Sequence, residues 1–168
     1  MKLETIQIGR IVNAHGIRGE VRVQPRGMDP AFLTRFSTFL LDGQIVTPTA
    51  NHVHKSLVLM KFPGVDDMNA ALALKDKPLY IRREDAHLKD GEFFDDELLG
   101  LQVVDEATGE TLGELVRVEN YPAHQVYTVR GKHEYLIPAV PGVFIQSVDM
   151  DANRMFVHIL EGMATDAN

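Results

Sequence analysis

The chain contains no cysteine, which excludes disulfides, thiolate nucleophiles and cysteine zinc sites together. Any metal would have to be held by histidines and carboxylates, and a reducing compartment agrees with the composition. No segment approaches the ~18 consecutive apolar residues of a membrane-spanning helix. The amino-terminal MKLETIQIGR meets charged residues before an export signal could form its apolar core. A cytoplasmic chain with no membrane association is expected. Helical periodicity is scarce, and neither internal repeats nor low-complexity tracts occur. The sequence also offers no nucleotide-binding loop, metal-ligand set or nucleophile motif, so no catalytic residue and no cofactor are expected.

What the chain does have is 168 residues, 45% of them hydrophobic, enough for one medium domain or two small ones. Its formal net charge of -7 is unevenly divided. Residues 1–90 carry 13 Lys/Arg against 10 Asp/Glu, a net of +3, and residues 91–168 carry 4 against 14, a net of -10. A mildly basic front half can approach phosphate, whereas an acidic back half repels it and suits a basic protein surface. Two merely solvated surfaces would give the same counts.

Short apolar runs separated by turn signals every ~8–12 residues point to all-β barrels or sandwiches. Residues 6–12, IQIGRIV, read as a strand whose alternation slips at Gly9, as at a bulge, and residues 20–24, EVRVQ, alternate with both valines inward. The HGIRG stretch is then the loop between them. Phe39-Leu40-Leu41 and Gln44-Ile45-Val46 flank an Asp42-Gly43 hairpin turn, and Ser56–Phe62 and Leu79–Ile81 read as further strands. One short helix is expected near the end of this first domain, from about Asp67 to Lys75, with Asp66 or Asp67 as cap. Residues 83–91 lie in a charged stretch with little to bury and are taken as a linker between a domain of residues 1–82 and a second of residues 92–168. The second half gives six strands and no helix: Leu99–Val104, Leu112–Val118, His124–Val129, Glu134–Ile137, Phe144–Val148 and Met155–Ile159. The polar tail after Gly162 is expected to fray. The fold class is therefore mainly β, two small β-barrel domains joined by a short linker.

Four segments occur in a telling order: IGRIVNAHGIRGEVRV, VDDMNAALALKDKPLYI, GEFFDDELLGLQVVDEATGETLGELVRV and YLIPAVPGVFIQSVDMDANRMFVHILEGM. Together they resemble the RimM family of bacterial ribosome maturation factors over nearly the whole chain, the third looking like the start of a PRC-barrel domain. The resemblance implies an amino-terminal barrel of translation-factor type, a carboxy-terminal PRC barrel, and a non-enzymatic role in assembling the head of the small ribosomal subunit. It implies two partners, the nineteenth small-subunit ribosomal protein and small-subunit rRNA; the chain is expected to be a monomer. Family members usually carry two tyrosines where this chain has Phe93-Phe94; the ring faces are kept and both hydroxyls are lost.

The residues themselves leave readings open. Gly16 and Gly19 permit positive φ and close approach, which leaves His15 and Arg18 at the rim of a tight inter-strand loop. That loop is either structural or a contact loop for RNA or protein, with Arg10, Arg18, Arg22 and Arg26 as candidate phosphate contacts. A GxxG clamp of the KH type joins two helices, which this stretch does not. As a general base His15 would want a nucleophile and an orienting carboxylate, and only Glu20 is near in sequence; an RNA-acting enzyme built on that pair is the rival reading. A PRC-type adaptor for another protein is a third. His52 and His54 share a strand face and read as surface histidines or the start of a metal site without a third ligand. Phe93-Phe94 followed by Asp95-Asp96-Glu97 reads either as a hydrophobic seal between the domains or as an aromatic anchor for a basic partner, ringed by carboxylates, and the resemblance favours the anchor. Val140–Phe144 reads as a rigid turn entering a strand.

Overall fold

The computed structural model describes residues 1–165 and divides into two compact units, Glu4–Leu88 and a second formed by Met1–Leu3 with the chain from Lys89 onward. In the first unit the elements are β1 (Thr5–His15), β2 (Glu20–Pro25), α1 (Pro30–Leu33), β3 (Phe39–Leu41), β4 (Gln44–Val46), β5 (Ala50–His54), β6 (Leu57–Lys61), α2 (Met68–Leu72) and β7 (Pro78–Arg82). The strands form one antiparallel barrel-like sheet in the order β4-β3-β7-β1-β2-β6-β5. Alternation supplies its core: Ile6, Ile8, Val21, Val23, Val58 and Leu79 are all at most 1% exposed. The register of β1 against β7 shifts between Gln7 and Gly9, where the alternation slips. A Cβ on Gly9 would lie 2.8 Å from the Gln24 carbonyl oxygen, so the bulge needs a residue without one.

Both Asp42 and Gly43 adopt positive φ, as the tight Asp-Gly hairpin turn requires. The Asp67 carboxylate accepts from the Ala70 N–H at 2.7 Å and starts α2 at the anticipated place, although the regular helix ends at Leu72. Two features depart from the sequence reading. β1 runs on through His15, beyond the Val12 at which its strand was read to end. A further turn of helix, α1, is begun by Asp29, whose carboxylate accepts from Ala31 N–H, with Pro30 at the first helical position. The charged stretch after β7 forms a 3-10 turn over Arg83–Ala86, braced by Arg82 Nε donating to Asp85 at 3.3 Å.

In the second unit, α3 (Asp95–Leu98) precedes β8 (Gln102–Asp105), β9 (Thr111–Asn120), β10 (Gln125–Arg130), β11 (Glu134–Pro138), β12 (Ile145–Asp149) and β13 (Arg154–Val157). The six strands follow the sequence expectation, in the order β11-β10-β9-β8-β13-β12, with β8 and β13 parallel. The core gathers Leu101, Val103, Leu115, Val129, Ile137 and Met155. The expectation of no helix here is corrected by α3, which Glu97 stabilises from its third position. The tail expected to fray after Gly162 is pinned as far as Thr165, because Ala164 bridges Tyr135 and Thr165 N–H donates to Glu134 O at 2.7 Å. Residues 166–168, the rest of that expectation, lie outside the described residues.

Candidate functional site

Two groups of residues singled out in the sequence occupy defined positions, one in each unit. In the first, β1 and β2 meet in a hairpin that pairs His15 with Glu20 and Asn13 with Arg22. The expected HGIRG loop is one residue shorter, because His15 belongs to the strand. Its tip is exposed: Gly16, Ile17 and Arg18 face solvent, and Ile17 keeps 73% of its surface. The two glycines differ. Gly16 has φ +71 and open space where a Cβ would go, whereas Gly19, at φ +93, is buried with its would-be Cβ only 2.0 Å from Val65 O. Gly16 is therefore available to a partner, and Gly19 is occupied by the chain's own backbone.

Arg22 projects from β2 and its Nε donates to His15 Nδ1 at 3.1 Å. The His15 ring also lies 5.4 Å from that of His54, centroid to centroid, tilted by 57°. An imidazole whose Nδ1 accepts must be neutral and carry its proton on Nε2. In a catalytic triad the polarity is reversed, with Nδ1–H donating to a carboxylate. His15 is thus arranged to hold an arginine. Arg10 is exposed on β1 beside Gln24, and Arg26 is exposed just past β2, its N–H donating to Ile8 O at 2.9 Å. The structure brings His15 and Arg22 together and adds His54, which sequence spacing could not place beside them. Among the described residues, no three His, Cys, Asp or Glu side chains gather as a metal site would require.

The second group surrounds α3. Phe94 caps the helix, and the Glu97 carboxylate accepts from Phe94 N–H through one oxygen and from Leu3 N–H through the other, each at 3.0 Å. Glu97 is completely buried, so this single acid ties the amino terminus of the chain to the start of α3. Phe93 is half-buried and packs against the core, while Phe94, also half-buried, lies at the helix cap. Asp95 and Asp96 follow in the first turn, where carboxylates suit the helix dipole.

Asp95 accepts from Gln125 Nε2 at 3.0 Å, and the same amide donates to Asn120 Oδ1 at 2.8 Å. Burial pushes the Asp95 carboxyl above its ordinary range, the Gln125 hydrogen bond opposes this, and the Asp96 charge adds to it. The Tyr127 hydroxyl is also pushed up, first by burial and then by the nearby Asp95 charge. Gln125 was missed in the sequence; Glu97 was read there only as one of the carboxylates beside Phe93-Phe94, although an acid three residues after a cap position is half of a capping box. Val140–Phe144 forms a turn entering β12, as expected: Val140 O accepts from the N–H groups of Val143, Phe144 and Ile145, and Phe144 packs on the core.

Fold and geometry define a protein of two small barrel-like β units, one presenting an arginine- and histidine-bearing hairpin and the other an acidic helix start with aromatic neighbours. The family model of the RimM N-terminal domain matches residues 6–86, and that of the RimM PRC barrel domain matches residues 95–163. The chain is 34% identical to the ribosome maturation factor RimM of Clostridioides difficile, with 96% of this chain and 97% of the relative covered. Its identity to the ribosome maturation factor RimM of Geotalea uraniireducens is 36%, with 95% of each covered. A RimM crystal structure from Pseudomonas aeruginosa, named for 16S ribosomal RNA processing, aligns over 92% of this chain and 97% of its own at 27% identity and a TM-score of 0.45. The chain belongs to the RimM family.

Proposed function

We propose that this protein is a ribosome maturation factor that assists assembly of the small-subunit head and processing of its rRNA by binding, without catalysing a reaction. It works in the cytoplasm as a monomer and holds the nineteenth small-subunit protein and rRNA in compatible positions. The observation that carries this reading is the presence of both RimM domains in one chain, covering nearly its whole length. The geometry supports a division of labour. Arg10, His15, Gly16, Arg18, Arg22 and Arg26 offer donors to phosphate on or beside the first hairpin, with Gly19 shaping the loop beneath them. Phe94, Asp95 and Asp96 offer an aromatic face and carboxylates to a basic protein, with Phe93 anchoring them to the core.

Co-sedimentation tests the reading. The full chain should travel with precursor small-subunit particles and not with mature subunits, and should bind the purified nineteenth protein in a calorimetric titration. A chain that sediments alone with both particles and gives no heat with that protein refutes it. Recovery with an unrelated partner instead would favour a PRC-type adaptor.

A further inference from the structure

The β1–β2 hairpin carries a preorganised donor set that its sequence motif does not reveal. Arg22 is half-buried, and among the described residues its recorded polar partner is the His15 ring; no carboxylate lies within ion-pair distance of it. A charge taken out of water is costly to bury without an acid to pair it. The cations Lys61 and Arg82 of the same unit each have one, Asp66 at 2.9 Å and Asp85 at 3.3 Å. With Nε engaged by His15 Nδ1, the two terminal nitrogens of Arg22 remain for an outside acceptor, in the planar fork that matches phosphate oxygens. His15, accepting at Nδ1, carries an Nε2–H donor of its own, and the exposed His54 sets a second imidazole beside it.

We propose that Arg22, His15 and His54 form a seat for one RNA phosphodiester group, with Arg22 as the charged fork, His15 as the residue that positions it, and His54, from another hairpin, as a further donor. This rests on the RNA-binding part of the proposed function and adds to it a residue on β5 and a definite role for each side chain. The charged side chain facing the seat across β1–β2 is Glu20, the strand partner of His15, and Arg18 at the tip adds positive charge.

The test is binding of the full chain to a single-stranded fragment of small-subunit head rRNA across a salt series, with inorganic phosphate as a second probe followed by imidazole NMR signals. Arg22→Ala should weaken RNA binding roughly tenfold and reduce the slope of log K against log salt by about 0.7, the release of one contact's counterions. Arg22→Lys keeps the charge and loses the fork, so it should retain the slope and lose part of the affinity. His54→Ala should weaken binding with the slope kept. His15→Asn, whose carbonyl oxygen can accept from Arg22 Nε as Nδ1 does, should bind better than His15→Ala. Phosphate should shift the His15 and His54 signals in the wild type and not in Arg22→Ala.

RNA binding unchanged in Arg22→Ala and His54→Ala overturns the seat while leaving RNA binding by this protein standing. Equal loss in His15→Asn and His15→Ala overturns the positioning role. A folded wild-type chain that binds no rRNA fragment overturns both the seat and the reading beneath it. Loss of melting temperature in step with loss of binding across the series would overturn the seat in favour of a structural role.

Discussion

Gly16 and Gly19 stand in one loop, both at positive φ, and identical substitutions should have very different effects. A side chain in the left-handed region costs roughly 1–2 kcal/mol, which both alanine variants must bear. At position 16 nothing lies within 4 Å of the new Cβ, so that cost is the whole effect. At position 19 the Cβ would stand 2.0 Å from Val65 O, 2.6 Å from Val65 C and 2.9 Å from Asp66 N. All three are backbone atoms, so no rotamer change can relieve the clash; the strand or the 65–66 backbone must move. Overpacking of this kind adds about 1–3 kcal/mol. The displaced segment leads into Asp67, whose cap on α2 is worth about 1 kcal/mol.

Gly19→Ala should therefore cost roughly 3–6 kcal/mol, a large share of a typical domain's stability. Calorimetric melting of the full chain should show Gly16→Ala lowered by about 5–10 °C and Gly19→Ala by ~15 °C or more. Residue-resolved amide exchange should place the loss within Glu4–Leu88, first around Val65 and Ala70. Equal shifts for the two variants would refute the reasoning, since the clash with the backbone of Val65 and Asp66 is what separates them.

Glu97→Ala strands two part-buried N–H groups, of Phe94 and Leu3, and should destabilise the second unit by ~2–4 kcal/mol, seen in urea titration with faster exchange of the Leu3 amide; a loss under about 0.5 kcal/mol would contradict the double acceptance. Phe93→Ala should lower stability by about 3 kcal/mol because its ring packs on the core, whereas Phe94→Ala should mainly weaken binding of the small-subunit protein, and titration beside melting separates the two. Because burial raises the Asp95 carboxyl, the linkage runs toward protonation: its stabilising contribution is full below the ordinary value of 3.8 and is lost as pH rises through the raised one. Asp95→Asn should then melt higher than wild type at neutral pH and converge with it below pH 3.8, while association with a basic partner slows. Parallel melting curves at every pH would count against that.

Alternation made the strands readable. Val21 and Val23 point inward because a strand's side chains repeat every two residues, and the slip at Gly9 marked its bulge without any knowledge of β7. What alternation does not encode is partner choice, so the parallel pairing of β8 with β13 was invisible. The short helices were missed for a different reason. α1 and α3 each span four residues, too few for a 3.6-residue period to register, and their signals are one or two residues long: Asp29-Pro30 for one, Glu97 for the other. A phenylalanine at the cap position of α3 conceals the box that a serine or aspartate would have announced.

The candidate site divides along the same line between local and distant information. His15, Arg18 and Arg22 could be nominated from eight consecutive residues, but the motif cannot distinguish a catalytic imidazole from a structural one. The structure adds the direction of one hydrogen bond, Arg22 Nε to His15 Nδ1, which is the reverse of the triad arrangement. Likewise the net of +3 over residues 1–90 is too small to identify a phosphate surface. The structure shows where compensation occurs: Lys61, Lys77 and Arg82 are paired with Asp66, Asp42 and Asp85, whereas Arg10, Arg18 and Arg22 have no carboxylate partner among the described residues. A nearly balanced unit can therefore present a net cationic hairpin, three arginines against Glu20, because a phosphate at contact distance responds to its neighbours and, at physiological salt, hardly to charges beyond ~8 Å. An acidic total of -7 is then no obstacle to binding RNA, provided that the acidic residues of the second unit are held by a basic protein while the hairpin meets the phosphates.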